Sequence, residues 1–229
     1  MHYTINGKVV KSERTAKPRV QASRPLKKWL LREESRGDVL DFGCGRLRYA
    51  PELAAVAKTL TFVDSNPQLQ RICSFSDQRE TVSAQAARHW PKARVLEYRD
   101  FVNDSQQYDF ILCANVLSAI PVDRERRAVV TLLGDRLKPS GQCLFVTQYR
   151  NSYYRQLALQ SNTSRHLDGV LVDRGPTLTF FGLLSRESLT QLTRECGLQT
   201  LAAWIKGQSA YVLCACAKSV GSKYGQQKV

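Results

Sequence analysis

The stretch Val39-Leu40-Asp41-Phe42-Gly43-Cys44-Gly45 leads from an apolar run into a glycine-rich turn, and Phe62-Val63-Asp64 ends the next apolar run. A buried strand followed by such a turn is typical of a cofactor site on a doubly wound α/β sheet. The glycines let the backbone approach a ligand closely. A carboxylate that ends the second strand can accept hydrogen bonds from both hydroxyls of a ribose. The two stretches together predict a site for an adenosine-containing cofactor.

The spacing of the glycines separates two kinds of cofactor. A dinucleotide site carries glycine at the first, third and sixth positions, so that pyrophosphate can lie on a helix N-terminus. Here those positions hold Gly43, Gly45 and Arg48. Asp41 precedes the first glycine by two residues, where its charge would repel a pyrophosphate and would suit a cationic ligand with an ammonium and a sulfonium group. A flavodoxin-like or NAD-binding Rossmann domain is the alternative interpretation.

The glycine turn resembles motif I of the class I S-adenosylmethionine-dependent methyltransferases, with Asp64 as the ribose acid. Two later stretches are similar to the same family. They are the turn Leu137-Lys138-Pro139-Ser140-Gly141-Gln142 and a terminal hairpin through Lys206-Gly207-Gln208-Ser209. The resemblance covers roughly residues 24–217. A narrower resemblance is to methyltransferases associated with DNA phosphorothioation and related defence loci. It is carried by the basic lead-in Arg14-Thr15-Ala16 through Ser23-Arg24-Pro25-Leu26, by Asn115-Val116-Leu117, and by Asp168-Gly169 with Phe180-Phe181.

The resemblance implies S-adenosyl-L-methionine as the cofactor and a set of residues that bind it. Asp100, near the end of the third strand, would read the adenine amino group, or is a plain turn aspartate. Asn115 would line the cofactor or acceptor pocket, or caps the turn that follows it. The implied cofactor-binding residues are Asp41, Gly43, Cys44, Gly45, Asp64, Ser65, Asp100 and Asn115.

The order of apolar runs and amphipathic segments predicts an α/β, Rossmann-like class I methyltransferase fold. Its sheet would be mostly parallel and seven-stranded, with an antiparallel hairpin at the C-terminus. We expect strands over 38–42, 59–64, 93–98, 108–113, 143–147, 201–205 and 211–217. We expect helices over 24–34, 48–57, 67–76, 79–89, 123–137 and 185–196.

The chain divides by composition into three parts. Residues 1–22 are polar, basic and aperiodic, and predict an arm that is mobile or packed across the surface. Residues 23–217 would form the methyltransferase domain, in which 149–184 interrupt the regular alternation and predict a substrate lid. Residues 218–229 would be a polar, basic tail.

Charge gives the clearest indication of a partner. The formal net charge is +14, and residues 1–36 supply half of it, with ten lysines and arginines against three glutamates. A basic surface attracts polyanions, which favours a methyltransferase acting on RNA or DNA. The alternatives are a methyltransferase for a small molecule or a protein, with incidental charge, and a non-catalytic cofactor-binding module.

No catalytic residue is evident, and the chemistry explains why. Methyl transfer from a sulfonium is an in-line displacement that requires alignment, and a base only if the acceptor must first lose a proton. The Asn/Asp-Pro-Pro-aromatic tetrad of many amino-group methyltransferases is replaced by Asn115-Val116-Leu117-Ser118. The candidates are Asn115, Tyr149 and His166, the last as a base. Tyrosines and arginines in 149–184 could stack on bases and neutralise phosphates.

The sequence predicts neither a metal site nor a membrane segment. Its seven cysteines form no Cys-x-x-Cys pair, and it has three histidines, so a zinc site is not expected. Cys113 lies in an apolar run and is interpreted as a core residue.

The N-terminus lacks the apolar region of a secretory signal, and no stretch reaches the roughly 20 apolar residues of a membrane span. We therefore expect a cytoplasmic protein without a membrane partner, and its oligomeric state stays open.

Overall fold

The computed structural model describes residues 3–75, 78–149 and 152–217. The strands, numbered along the chain, are β1 (Tyr3–Ile5), β2 (Lys8–Val10), β3 (Asp38–Phe42), β4 (Thr59–Asp64), β5 (Ile72–Ser74), β6 (Arg79–Thr81), β7 (Arg94–Glu97), β8 (Tyr108–Ala114), β9 (Leu137–Gln148), β10 (Thr163–His166), β11 (Gly169–Asp173), β12 (Thr177–Gly182), β13 (Leu198–Lys206) and β14 (Ser209–Cys216). The α-helices are α1 (Arg24–Leu30), α2 (Ala50–Val56), α3 (Asn66–Leu69), α4 (Val82–His89), α5 (Tyr98–Asn103), α6 (Asp123–Asp135), α7 (Ser152–Leu157) and α8 (Arg186–Glu195).

A seven-stranded sheet forms the centre of the molecule, in the order β13-β14-β9-β8-β3-β4-β7. The five strands from β9 to β7 are parallel neighbours, and β14 runs antiparallel to both β9 and β13. Strand β3 lies in the middle and is largely buried, which agrees with its continuous apolar run because helices cover both faces of a parallel sheet. The predicted fold class and the terminal antiparallel hairpin are therefore confirmed.

Apolar side chains pack on both faces of this sheet. One face buries residues of α1, α2 and α4 against β3, β4 and β8. The other face buries residues of α5, α6 and α8, together with side chains from β2, β11 and β12. Because the carboxyl ends of the parallel strands remain between these two layers, a ligand site can form there.

A second sheet, which the sequence analysis did not predict, has the order β1-β2-β12-β11-β10. Strands β1 and β2 form a hairpin, and β2 then pairs in parallel with β12. The hairpin turn is Asn6-Gly7, with φ of 50° and 74°, as a two-residue turn of the primed type requires. The N-terminal segment, predicted to be an arm that is mobile or packed across the surface, packs against the body through β1 and β2, because β12 offers β2 an edge with which to pair.

Several element boundaries differ from those predicted. The helix expected over 67–76 ends at Leu69, and a short antiparallel pair, β5 and β6, follows. The helix expected to reach residue 34 ends at Leu30. Strand β9 begins at Leu137 rather than at residue 143, and the turn expected over 137–142 is part of it. Residues 76, 77 and 218–229 fall outside the described residues, so the tail stays a prediction.

The helices in the described ranges are short. None of them combines the length and the apolar composition that crossing a bilayer would require. The cytoplasmic location itself stays a prediction.

Candidate active site

A cavity of about 160 Å³ lies where β3, β4, β8 and β9 end. Gln68 of α3 and Tyr98 of α5 belong to its described lining, and the rest of that lining comes from three places. The first is the glycine turn with the ends of β3 and β4, the second is the segment 114–120 with the end of β9, and the third is the N-terminal segment. The cavity therefore lies at the carboxyl edge of the sheet, where ligands bind in open α/β folds.

The glycine turn follows β3 in a conformation that suits glycine. Gly43 and Gly45 have φ of 72° and 59°, in the left-handed region that side chains disfavour. A Cβ at Gly43 would also overlap Cγ2 of Val116. The backbone N–H groups of Gly43 and Cys44 both donate to the carbonyl oxygen of Val63, at 2.8 and 3.1 Å. The turn is thereby held against the end of β4.

Asp64 ends β4 and joins it to the glycine turn. Its Oδ2 accepts a hydrogen bond from Gly45 N at 2.8 Å, and its Oδ1 accepts one from Ser65 N at 2.7 Å. Burial raises the pKa of Asp64 to about 6, although these hydrogen bonds act in the opposite direction. The carboxylate lines the cavity, in the place predicted for the ribose acid.

Asp41 is the more deeply buried carboxyl group, with 3% of its surface exposed. Burial first, and then the neighbouring charge of Asp64, raise the pKa of Asp41 to about 7. Its Oδ2 has no hydrogen-bond partner among the described residues. A buried carboxylate without a partner is costly, so this group is suited to a cationic or donor-rich ligand.

Three more oxygens in the cavity lack hydrogen-bond partners within the described residues: Gln68 Oε1, Asn115 Oδ1 and Gln148 Oε1. For Gln68 the amide orientation is fixed, because its Nε2 donates to Gly45 O at 2.6 Å. These amide oxygens only accept hydrogen bonds, as does Asp41 Oδ2 when the carboxyl group is ionised. A buried acceptor without a partner loses free energy, so the cavity favours a ligand rich in N–H and O–H donors.

The residues of the cavity fit S-adenosylmethionine. Its ammonium, adenine amino and ribose hydroxyl groups are donors that match the acceptor oxygens of Asp41, Asp64 and Gln68, and its sulfonium is a cation. Arg46 Nε, which lacks a partner among the described residues, can donate to its carboxylate. When bound, this cofactor supplies an electrophilic methyl group on a positively charged sulfur.

Seven of the eight predicted cofactor-binding residues line this one cavity: Asp41, Gly43, Cys44, Gly45, Asp64, Ser65 and Asn115. Asn115 follows β8 with φ of 65°, a conformation that asparagine tolerates better than most residues. Its N–H donates to Val146 O at 2.7 Å. Burial raises the pKa of the Cys44 thiol well above its ordinary value, so this side chain contributes packing and stays protonated.

Asp100 requires a correction. It is exposed and does not belong to the described residues that line the cavity, whereas Tyr98 does. Strand β7 ends at Glu97 and α5 begins at Tyr98. Successive helical residues are turned by about 100°, so Asp100 lies on a different side of α5 from Tyr98.

The structure also separates Tyr149 and His166 from the cavity. Neither belongs to its described lining. The N–H of Tyr149 donates to Gln208 O at 2.9 Å. His166 Nε2 lies 2.7 Å from Pro121 O, and its ring packs edge-on against Phe180. Because a carbonyl oxygen only accepts, Nε2 carries the proton, and His166 holds the loop after β8 in place.

Residues 12–17, which we call the N-terminal cover, close one side of the cavity. Ser12 Oγ donates to Ala119 O at 2.8 Å, and Arg71 Nη1 donates to Glu13 O at 2.7 Å. No described residue of 149–184 lines the cavity. Part of the segment predicted as an arm therefore forms the cover. The segment predicted as a lid supplies β12, the strand with which β2 pairs, and its role as a substrate lid stays a prediction.

Sequence reasoning missed the cover and also Gln68, Tyr98 and Gln148. The dipeptide Asn6-Gly7 is a strong hairpin signal, and it could have indicated a folded N-terminus. Nothing in the sequence distinguishes the two glutamines from surface glutamines, since both are buried only by the tertiary fold.

Solved structures support the fold. A structure of DhpI with SAM and HEP superposes with a TM-score of 0.62 at 19% identity, covering 89% of this chain and 90% of that one. The PH0226 protein from Pyrococcus horikoshii OT3 superposes with a TM-score of 0.65 at 16% identity, covering 86% and 89%. Fold and site together define a class I methyltransferase, the class whose cofactor is S-adenosylmethionine.

Sequence comparison gives the family. A family model described as a methyltransferase domain matches residues 14–203. The uncharacterized protein YmfD of Escherichia coli strain K12 is 32% identical over 212 residues, which cover 93% of this chain and 95% of that protein. The chain belongs to the methyltransferase domain family.

Proposed function

We propose that this methyltransferase transfers the methyl group of S-adenosylmethionine to a small, negatively charged acceptor held beneath the N-terminal cover. The observation that carries the proposal is the cover itself. It supplies Ser12, Glu13, Thr15, Ala16 and Lys17 to the cavity lining. A site partly closed by its own chain favours an acceptor small enough to be enclosed.

The charges of the cavity favour an anionic acceptor. Lys17, Arg46 and Arg48 line the cavity, and the cofactor carries a single carboxylate. One guanidinium can pair with that carboxylate, which leaves positive charge near the mouth of the cavity for an acidic group of the acceptor.

The chain's own residues have three tasks in this reaction. Asp64 and Asp41 bind the donor groups and the positive charge of the cofactor. The glycine turn admits the cofactor close to the backbone. The cover and Tyr98 exclude water, which strengthens these electrostatic interactions because the local dielectric falls. Alignment of the reacting atoms then supplies most of the rate enhancement.

The decisive experiment follows the methyl group. Full-length protein is incubated with methyl-tritiated S-adenosylmethionine and an extract of its source cells, and the mixture is passed through a filter that retains macromolecules. After chromatography that removes unreacted S-adenosylmethionine, we expect a labelled small molecule in the filtrate, and much less of it with Asp64→Ala. Retained label that nuclease releases would overturn the proposal in favour of a polymer acceptor, and retained label that protease releases would indicate a protein.

A nucleic-acid acceptor is the second candidate, and the net charge of +14 favours it. Several of the basic side chains behind this idea have intramolecular partners. Lys8 pairs with Asp173 at 2.6 Å, Lys27 pairs with Glu52 at 2.8 Å, and Arg36 stacks on Trp29. Fewer of the N-terminal cations are thus available to phosphates than the sequence alone implies. The narrower resemblance to phosphorothioation-associated enzymes stays a prediction.

A further inference from the structure

The polar side chains that line the cavity differ between its two sides. On the side of β3 and β4 they are carboxylates, Asp41 and Asp64. On the side of β8 and β9 the described lining residues are Ala114, Asn115, Val116, Ala119, Ile120 and Gln148, and no titratable side chain belongs to this set. The first side suits the charged cofactor, which leaves the second side for the acceptor.

The second side of the cavity presents two amide oxygens, Asn115 Oδ1 and Gln148 Oε1. Gln148 has 8% of its surface exposed, and neither its Oε1 nor Asn115 Oδ1 has a hydrogen-bond partner in the described part of the chain. Both residues are fixed through their backbones. Asn115 N donates to Val146 O at 2.7 Å, and Gln148 N donates to Ser118 Oγ at 3.2 Å. A ligand with N–H or O–H groups would give both amide oxygens the partners that they lack.

The absence of a base among these described residues limits the nucleophile. A hydroxyl or thiol acceptor becomes a good nucleophile after losing a proton, which requires a base. An alkylamine is protonated at neutral pH, as the ordinary lysine pKa of about 10.4 illustrates, and it too would require a base. An aromatic or heterocyclic amine keeps a free lone pair at neutral pH.

We infer that the acceptor atom is the amino nitrogen of an aromatic or heterocyclic amine, held through its N–H groups by Asn115 Oδ1 and Gln148 Oε1. The inference rests on the proposed methyltransferase function and names its acceptor class. Val116 and Ile120, which also line this side, offer apolar contacts to the ring.

The proposed step balances without another reactant. The nitrogen lone pair forms the new C–N bond while the C–S bond of the methyl donor breaks, and the electron pair of that bond passes to sulfur. The nitrogen becomes positively charged and then releases its extra proton to water. The two amide oxygens orient the N–H groups before the step and stabilise them more strongly as positive charge develops.

The test reads the chemical identity of the new bond. Full-length protein is incubated with S-adenosylmethionine labelled with carbon-13 in the methyl group and with the small-molecule fraction of a source-cell extract. Two-dimensional proton–carbon NMR then distinguishes methyl groups on nitrogen, oxygen and sulfur. We expect one new N-methyl signal, coupled to an aromatic ring.

Each other outcome contradicts a different statement. An O-methyl or S-methyl signal, or an N-methyl on an alkylamine, would overturn the inference and leave the methyltransferase function intact. The absence of any new methyl signal in either the small-molecule or the macromolecular fraction, while calorimetry still shows cofactor binding, would overturn the proposed function and the inference with it.

Two variants test the Gln148 oxygen and the expectation that no base is required. Gln148→Met preserves length and removes the acceptor atom, and we expect kcat/KM to fall about tenfold while cofactor affinity changes less than about twofold. Gln142→Met, on the same strand but outside the described lining, is the matched control. Glu13, in the cover, is the carboxylate of the described lining that is not assigned to the cofactor. Because the inference requires no base, Glu13→Gln should keep the pH profile of kcat. Loss of the acidic limb in Glu13→Gln, the limb in which kcat rises with pH as a base loses its proton, would contradict the inference.

Discussion

At the scale of single residues, two buried carboxyl groups set the electrostatics of the cavity. Asp41 and Asp64 lie near each other at the ends of β3 and β4, and their pKa values are raised to about 7 and about 6. Such shifts occur often at functional sites, because burial that destabilises a charge also strengthens its interaction with a ligand of opposite charge.

Asp64→Ala should weaken S-adenosylmethionine binding by about 100-fold, because charge-assisted hydrogen bonds to the ribose are lost. Isothermal titration calorimetry measures this change directly. Asp38→Ala is the control, since Asp38 pairs with Lys138 at the opposite end of β3. Equal affinities of Asp64→Ala and the unmodified protein would remove Asp64 from the site.

Asp41→Asn should stabilise the ligand-free protein at neutral and alkaline pH. The pKa of Asp41 is raised in the folded state from 3.8 to about 7, so the folded protein binds more protons than the unfolded chain between these values. The stability that depends on the protonated carboxyl is present below the lower value and is lost as the pH rises through about 7.

Urea unfolding at several pH values tests this effect. The free energy of unfolding of Asp41→Asn should exceed that of the unmodified protein by an amount that grows between about pH 4 and pH 7 and reaches the order of 4 kcal/mol. The same variant should bind the cofactor more weakly, as is common where function and stability compete. A difference that does not vary with pH would contradict the assigned pKa.

At the scale of structural elements, the hairpin β1–β2 places the cover over the cavity. Val10 ends β2 with its side chain buried in the core, whereas its neighbour Val9 has 39% of its surface exposed. Val10→Asp should undock the cover and raise the cofactor dissociation rate about tenfold, because a buried aspartate costs several kcal/mol. Stopped-flow displacement measures this rate.

Val9→Asp is the matched control for the hairpin experiment. It introduces the same charge one residue away on the exposed side of the strand, since successive side chains of a strand point to opposite faces. It should leave the dissociation rate within about twofold. Equal effects of the two variants would mean that charge, not docking, controls cofactor release.

The turn between β10 and β11 holds the loop after β8 in place. His166 ends β10 and bonds to this loop, so we assign it a positioning role. Arg126 binds both carboxylate oxygens of Asp168 at 3.0 and 2.9 Å and donates to Ile120 O at 2.8 Å. His166 donates to the adjacent Pro121 O. These bonds fix the loop that carries Asn115 into the cavity.

His166→Gln should therefore keep most of the activity and leave the pH profile unchanged, because a glutamine amide can donate to the same carbonyl oxygen. His166→Ala should lower activity modestly through a loosened loop. Loss of a general base costs about 100- to 10,000-fold. A loss of that size in both variants would instead make His166 the base.

At the scale of the whole molecule, the cofactor cavity joins two sheets. The seven-stranded sheet supplies the glycine turn and the strand ends, and the second sheet supplies the hairpin that leads into the cover. S-adenosylmethionine should therefore slow amide hydrogen exchange in residues 3–17 as well as in 43–48, since both parts become harder to open. Residues 198–206, at the far edge of the sheet, are the internal reference. Protection confined to 43–48 would contradict a coupled cover.

Much of the fold could be predicted because its signals are local. Apolar runs such as 38–42 and 59–64 are long enough to indicate strands, and the glycines of the turn indicate their own backbone conformation. The short strands β1, β2 and β5 escaped prediction because three residues show no measurable periodicity. Their pairing depends on partners elsewhere in the chain, and β2 meets β12 across more than half of the sequence.

The sequence by itself determined the cofactor half of the site. Asp41, Gly43, Gly45 and Asp64 act through local chemistry, because each lies at or close to the end of a strand whose direction is fixed by the parallel sheet. The tertiary structure alone decided the rest. In the folded protein, Asp100 lies on a side of α5 away from the cavity, and His166 bonds to a backbone carbonyl oxygen. Gln148 is buried at the cavity that Asn115 also lines, and the basic N-terminus folds over that cavity. Those outcomes depend on which distant surfaces bury apolar area together, and no window of sequence contains that information.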